Sequence, residues 1–196
     1  PALAASAPAA APASAAPAPA TQTAAGESFI GLPIVPVTAT AGGTPVAELY
    51  VSAPVTTAST DAAGAHITTT LWMKGEDAAD GPLYAAPNGI ELGRLDSTAA
   101  TKAGTPANGW VPVTIQGVVA ANAVVKDIGP VWQNAESSYE FTCGACHDLH
   151  DPHEHDPAQW ATEMVTMAKN ANLEPPDAML ILKWLQTESL KPKAGN

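Results

Sequence analysis

The run WVPVTIQGVV at residues 110–119 decides the fold of the first part of this chain. β-Branched residues dominate it, a composition typical of a strand rather than a helix. Three shorter runs of the same character precede it, AELYV, HITTTLWM and GIEL, at residues 47–51, 66–73 and 89–92. Small and turn-forming residues separate these runs, at 61–65, 79–82 and 87–89. We therefore expect a small antiparallel β barrel or sandwich over residues 28–133.

Two local signals refine this expectation. Asn88 and Gly89 both tolerate a positive φ, so they predict a hairpin with a two-residue turn. Pro112 lacks a backbone N–H and lies inside the fourth run. It therefore predicts that this strand lies at an edge or carries a bulge there.

After Asn134 the pattern becomes helical, and residues 134–196 are expected to form an α-helical unit. A short helix is expected at 137–141. Asp156 before Pro157 is typical of a helix start, and apolar residues then follow on one face of the helix, at Trp160, Met164, Met167 and Ala168. Pro175 and Pro176 open a further apolar helix over 178–190. So small a unit predicts stabilisation by a metal or a cofactor. The fold class is thus α+β.

The N-terminal residues 1–27 have a different composition, since nineteen of them are Ala or Pro. Frequent proline prevents a helix, and alanine buries little surface, so we expect a flexible leader or tether. Proline also interrupts the longest uncharged run, which leaves no apolar stretch that could cross a bilayer. The sequence begins at Pro1 rather than Met, which favours a mature protein whose export signal has been removed. We therefore expect a periplasmic or otherwise exported protein of the bacterial envelope.

The charge balance excludes one class of partner. The chain carries 19 acidic residues against 8 Lys and Arg, for a net charge of -11. A surface of this sign does not bind phosphate backbones, so no nucleic acid partner is expected. The carboxylates of the β region are scattered and indicate a solvated face; they are Asp61, Glu76, Asp77 and Asp80. No substrate-converting constellation is visible, so we do not expect an enzyme.

Both cysteines of the chain fall in one pentapeptide, CGACH at residues 143–147. This is the attachment motif of c-type haem. Two thiols one helical turn apart can bond the two vinyl groups of one haem, and the adjacent imidazole can then bind the iron. We therefore expect one covalent haem c held by Cys143 and Cys146, with His147 as the proximal ligand.

Three other interpretations of the cysteines remain open. A thioredoxin-like dithiol normally begins a helix in a βαβ context, which is absent here. A zinc site could combine Cys143 and Cys146 with two of the histidines His150, His153 and His155, although zinc-ligand pairs are usually separated by a longer loop. A disulfide between cysteines this close would be strained.

The sequence offers several candidates for the sixth iron ligand. Met167 ranks first, because it lies on the same helical face as Trp160 and an iron requires a ligand. The alternatives are Met164, His155, His153 and Met179. His150 follows the proximal ligand too closely to reach the opposite side of the iron. Methionine ligation would raise the reduction potential, and histidine ligation would lower it.

The motif and its surroundings resemble a known family. The segments are YEFTCGACH at 139–147, HDP at 150–152 and AQW at 158–160, followed by Met167. Upstream lie LWMKG at 71–75, PLYAAPNGIEL at 82–92, GWV at 109–111 and VW at 131–132. Together they resemble the C-terminal monohaem domain, with its preceding β region, of the pentahaem cytochromes that serve periplasmic trimethylamine N-oxide and dimethyl sulfoxide reductases. The resemblance covers residues 45–192.

The resemblance implies haem attachment at Cys143 and Cys146, iron ligation by His147 and Met167, and redox protein partners such as a molybdenum reductase or a multihaem cytochrome. The Ala/Pro tract stands where that family has its membrane-anchored tetrahaem part, so we expect no counterpart of that part in this sequence. The resemblance assigns menaquinol oxidation to that part, so this activity is not carried over to the chain.

The sequence therefore predicts a monohaem c-type cytochrome that transfers single electrons between partners in the bacterial envelope. The alternatives are a structural haem-bearing subunit of a larger redox complex or filament, and a haem-based ligand sensor. Four acidic residues lie near the motif in the sequence, Asp148, Asp151, Glu154 and Asp156. They predict that the partner docks with a basic surface.

Overall fold

The computed structural model describes residues 26–75, 80–96 and 101–193. The expected leader lies outside these residues apart from its last two, which begin the first strand. Glu76 and Asp77 also lie outside them.

Ten antiparallel strands come first along the described chain. They are β1 (Gly26–Ile30), β2 (Ile34–Thr38), β3 (Pro45–Tyr50), β4 (Pro54–Asp61), β5 (Gly64–Lys74), β6 (Gly81–Tyr84), β7 (Glu91–Leu95), β8 (Thr101–Lys102), β9 (Trp110–Val119) and β10 (Val124–Val125). Three helices follow, α1 (Gly129–Cys143), α2 (Pro157–Asn170) and α3 (Pro175–Ser189).

Six of these strands close into a barrel, in the order β5, β6, β7, β3, β2 and β9. Strands β5 and β9 complete the ring with an unbroken register from Ala65 opposite Val119 to Lys74 opposite Trp110. Strand β2 crosses β9 at Gly117, where an added Cβ would lie 2.5 Å from Val37 Cγ1. Only glycine permits β2 to approach β9 this closely, and this contact is the second pairing of β9 in the ring.

The remaining strands extend the ring. Strand β4 pairs with the first half of β5, and β1 and β10 continue outward from it, while the short β8 pairs with β9. Alternate residues of β5 and β9 face the barrel interior, and Leu71, Val113 and Ile115 are almost fully buried there. The prediction of an α+β chain with a small antiparallel barrel followed by helices is confirmed.

The sequence located only part of the sheet. The four expected runs correspond to β3, β5, β7 and β9, and the last agrees at both ends. Strands β1, β2, β4 and β6 were not expected. The predicted turn at 79–82 is wrong in its second half, because Gly81 and Pro82 already belong to β6.

The predicted two-residue hairpin turn at Asn88 and Gly89 is also wrong. The loop from β6 to β7 is closed by a hydrogen bond from Ala85 N to Ile90 O, which leaves four residues between them, and only Asn88 has a positive φ. A two-residue turn does occur at Asn108 and Gly109, where both φ angles are positive and Ala107 and Trp110 exchange both backbone hydrogen bonds. This turn leads into β9.

The sheet accommodates Pro112, which has no backbone N–H, without a bulge. The β5–β9 register runs through it unbroken, opposite Trp72. Its carbonyl accepts from Ala103 N, on the side away from β5. The ring nitrogen therefore faces the side of β9 away from β5, just beyond the last pair with the two-residue β8. Both alternatives of the prediction are wrong, because β9 has strands on both sides and its register with β5 contains no bulge.

Helix α1 is longer than the predicted segment 137–141, since it begins at Gly129. Its inward residues recur every four positions, at Val131, Ala135, Tyr139 and Cys143. This stripe explains the earlier start, because residues four apart lie on one face of a helix. The predicted starts of α2 and α3 are confirmed, and Asp156 caps α2 by accepting from Ala158 N and Gln159 N. None of the helices in the described ranges combines the length and the hydrophobicity that a membrane-spanning helix requires.

The helices share a core that also includes Val51 of the barrel side. At this contact Lys183 of α3 is 3% exposed; its Nζ donates to Gln186 Oε1 at 3.0 Å and lies 5.6 Å from the centre of the Tyr50 ring. Burial lowers the pKa of Lys183 to about 8, and the nearby Glu91 carboxylate partly opposes this shift. Burial therefore disfavours the charged form of Lys183 relative to the neutral amine in the folded protein.

This burial predicts an unusual pH dependence of stability. Between about pH 8 and the ordinary lysine value of 10.5, the unfolded chain holds a proton that folded Lys183 has lost. The Lys183 contribution to the free energy of unfolding should rise over this interval, by up to about 1.4 kcal/mol per pH unit. Urea unfolding of wild type and Lys183→Met between about pH 7 and 10 isolates it, with the exposed Lys169→Met as control. Equal pH slopes in wild type and Lys183→Met would contradict the assignment.

Candidate functional site

The cysteine motif lies where α1 ends. Cys143 is the last residue of the helix and continues its inward stripe, so its side chain is buried in the helical core. Cys146 is in the turn that follows and is exposed, as is His147. Both thiols are free.

Gly144 is required by the turn itself. A Cβ at this position would lie 2.5 Å from the Glu140 carbonyl oxygen and 3.6 Å from Leu149 Cγ. A side chain at position 144 would collide with the Glu140 carbonyl oxygen. Glycine therefore allows the tight turn that follows α1 and contains Cys146.

A small apolar hollow of about 120 Å³ lies between the end of α1 and the last turns of α2. Four predicted site residues line it: Cys143, Cys146, His147 and Met167. Thr142, Asn170 and Ala171 complete the lining. None of these three was predicted as a site residue. Asn170 and Ala171 follow Met167 by three and four residues, which places them close to its face of the helix.

The other methionine candidates lie elsewhere. Met164 is 4% exposed and packs in the helical core beside Trp160. Met179 is half-buried on α3 and does not line the hollow. Of the methionines considered as iron ligands, Met167 alone shares the hollow with the cysteine motif.

The histidines differ in the ring nitrogens they leave available. The Nδ1 of His147 lies 2.6 Å from the Asp148 carbonyl oxygen, and because a carbonyl can only accept, Nδ1 is the donor. In the neutral ring this tautomer leaves the lone pair on Nε2. His153 has both ring nitrogens engaged, with Asp151 at 2.8 Å and the Lys191 carbonyl at 3.2 Å. His155 packs edge-on against Trp160, with ring centres 4.8 Å apart.

Two hydrogen bonds hold the loop after the motif. Tyr139 donates its hydroxyl to the His150 carbonyl at 2.9 Å, and Trp160 donates its indole N–H to the Pro152 carbonyl at 2.8 Å. Burial raises the pKa of Tyr139 to about 12, so the hydroxyl remains a donor under all ordinary conditions. These contacts fix the path of residues 147–153 relative to α1 and α2.

The electrostatics of the thiols bear on the competing interpretations. Burial raises the pKa of Cys143, and the second thiol adds to the shift. The motif also follows a helix C-terminus, where the helix dipole disfavours a thiolate. Dithiol catalysis requires the opposite, a lowered thiol pKa.

The predicted zinc alternative finds little support in the geometry. Within the described ranges, no group of three or more His, Cys, Asp or Glu side chains is arranged to hold a metal ion. His150 instead contacts Glu154, with Nδ1 to Oε2 at 2.8 Å, and His153 contacts Asp151.

The donor set suits a c-type haem, whereas the hollow is too small to enclose one. It provides two thiols, an imidazole with a free Nε2 and a thioether, the ligand types that haem c uses. Ligand pockets that enclose a small molecule measure roughly 300–1,000 Å³. These residues would therefore hold such a group without enclosing all of it.

No protein-family model, curated protein or solved structure matches this chain.

The loop contacts predict a local stability effect. Tyr139→Phe removes the donor to the His150 carbonyl and should lower the free energy of unfolding by about 1–2 kcal/mol, because a partly buried acceptor loses its partner. Tyr84→Phe is the matched control, since that half-buried hydroxyl makes no hydrogen bond within the described residues. Urea unfolding of both variants measures the difference. Equal losses in the two variants would show that the Tyr139 bond does not hold the loop.

Proposed function

We propose that this chain is a monohaem c-type cytochrome that carries single electrons between redox partners in the bacterial envelope. The observation that supports it best is the convergence of Cys143, Cys146, His147 and Met167 on one apolar hollow. Three of these residues belong to the pentapeptide at 143–147, whereas Met167 lies on a different helix. The motif explains why two free thiols occur beside an available imidazole nitrogen.

Each residue has a separate task in this proposal. The Cys143 and Cys146 thiols would form the two covalent thioethers, His147 would bind iron through Nε2, and Met167 through its sulfur. When bound, haem supplies one-electron chemistry, because its iron exchanges Fe(II) and Fe(III). The Asp148 carbonyl keeps the proton on Nδ1 of His147 and orients the ring. A methionine ligand and apolar lining both favour a raised potential.

The proposal includes no substrate conversion. An exposed position for Cys146 and His147 would leave one haem edge open to a partner, which suits transient electron transfer. The motif resemblance favours a molybdenum reductase or a multihaem cytochrome as partner and the periplasm as location. A structural role in a larger redox complex uses the same site and differs only in how long the partner stays bound.

The first test is the absorption spectrum of the chain matured in a host that attaches haem c. The account predicts the sharp α band of a low-spin c-type haem on reduction, and no carbon monoxide binding by the reduced protein. Cys143→Ala/Cys146→Ala should be colourless after denaturing purification. A coloured double variant would contradict covalent attachment at the motif, and rapid carbon monoxide binding by wild type would favour the ligand sensor.

The second test separates the two nearby methionines. Met167→Ala should lose the weak sulfur-to-iron charge-transfer band of the oxidised protein and lower its reduction potential. Met164→Ala should keep the band but lose about 2–5 kcal/mol of stability, because Met164 is buried in the helical core. Spectra, redox titration and urea unfolding distinguish them. If Met164→Ala loses the band and Met167→Ala retains it, the ligand assignment is wrong.

A further inference from the structure

Residues 129–168 carry a strongly one-sided charge. They contain no Lys or Arg, and they contain seven carboxylates, Glu136, Glu140, Asp148, Asp151, Glu154, Asp156 and Glu163. This stretch includes α1, the cysteine motif and most of α2. The field near the proposed site is therefore more negative than the average over the chain.

Three of the four carboxylates that the sequence offered for docking are engaged within the chain. Asp151 accepts from His153 N and pairs with Lys193 Nζ at 2.9 Å, and these contacts lower its pKa. Glu154 pairs with His150, and Asp156 caps α2. They hold the loop in place and are poorly available to a partner.

A different surface combines available charge with exposed apolar area. We call it the α1 patch; it consists of Glu136, Glu140, Phe141, Asp148 and Leu149. Phe141 is 86% exposed and Leu149 is 41% exposed. Glu136, Glu140 and Leu149 line the same surface groove. Within the described part of the chain, the three carboxylates make no ion pair.

Helix α1 departs from two local rules at this patch. Glu136 and Glu140 are one turn apart, where two like charges repel each other. The last turn carries no basic residue, although the helix dipole favours one there. Neither departure stabilises the helix, and both increase the negative potential beside Cys143. Such departures are expected where a surface serves function.

We infer that the α1 patch is the docking surface for a redox protein that presents an apolar centre surrounded by Lys and Arg side chains. This inference rests on the proposed function and adds the chemistry of the partner. The carboxylates would accelerate encounter, and Phe141 would be covered in the complex. A partner whose apolar centre is surrounded by Asp and Glu side chains would be repelled from the same surface.

The test measures electron transfer from the reduced haem protein to ferric mitochondrial cytochrome c, a basic probe protein, by stopped flow. The second-order rate constant for electron transfer to the basic probe should fall steeply as the salt concentration is raised. The rate constant for electron transfer to the anionic oxidant ferricyanide should rise. Glu136→Gln/Glu140→Gln should lower the low-salt rate to the basic probe by about tenfold and flatten its salt dependence. Glu174→Gln/Asp177→Asn, which removes two exposed charges at the start of α3, is the matched control.

Phe141→Ala should lower the rate to the basic probe about tenfold at every salt concentration while leaving the haem spectrum unchanged. Val165→Ala, at a 75% exposed position on α2, is its control. Amide chemical shifts on titration with the probe map the contact independently of electron transfer, and the largest should fall within 136–149.

Several results would overturn the inference. They are a salt-independent rate to the basic probe, equal losses in the α1 pair and the α3 pair, or shift changes centred away from α1. With a coloured protein, any of these removes the docking surface but leaves the proposed function standing. A colourless protein overturns both.

Discussion

The helical unit depends on the buried aromatic contacts that join α1, α2 and α3. Trp160 of α2 is fully buried, and the Tyr139 and Trp184 rings lie 5.4 Å apart between α1 and α3. Large aromatic side chains dominate the burial energy of so small a unit. Two of the three also donate to carbonyls of the connecting loop. The same residues therefore pack the core and fix the loop that carries His150 and Pro152.

This constraint positions the proposed site. Because Tyr139 and Cys143 share one stripe of α1, seating Tyr139 in the core also directs Cys143 inward. Trp160 and Met164 seat α2 in the same way and leave Met167, one turn further along, at the edge of the core. The cysteine motif and the methionine lie close together because one cluster of buried aromatic residues holds both helices.

The sequence predicted the α+β class and the helix starts at Asp156 and Pro175, because alternation, caps and prolines are local signals. It missed β1, β2, β4 and β6. One partner of β1 lies far along the chain, since Phe29 pairs with Val125. Strands β4 and β6 pair with the next strand in the sequence, so distance does not explain why they were missed. It also placed the hairpin signal at Asn88 rather than at Asn108. Both dipeptides are Asn-Gly, and only the neighbouring strands determine which adopts the tight turn.

At the candidate site, too, some features could be predicted from the sequence and others could not. The spacing of Cys143, Cys146 and His147 could be found from the sequence, and so could the α2 face that carries Met167. The Asp148 carbonyl that fixes His147 and the loss of Asp151 and Glu154 to internal pairs could not, because backbone acceptors and loop ion pairs leave no periodic signal. Lys183 is a further case: its burial against Tyr50 depends on how α3 packs on the barrel side.

The measurement that tests the central claim most directly is the mass of the tryptic peptide spanning residues 127–169, taken from matured protein after alkylation of free thiols. This peptide contains both cysteines, and Lys126 and Lys169 define its ends. The account predicts a peptide heavier than its sequence by one haem, with neither cysteine alkylated. A peptide without haem, alkylated at both Cys143 and Cys146, would contradict it.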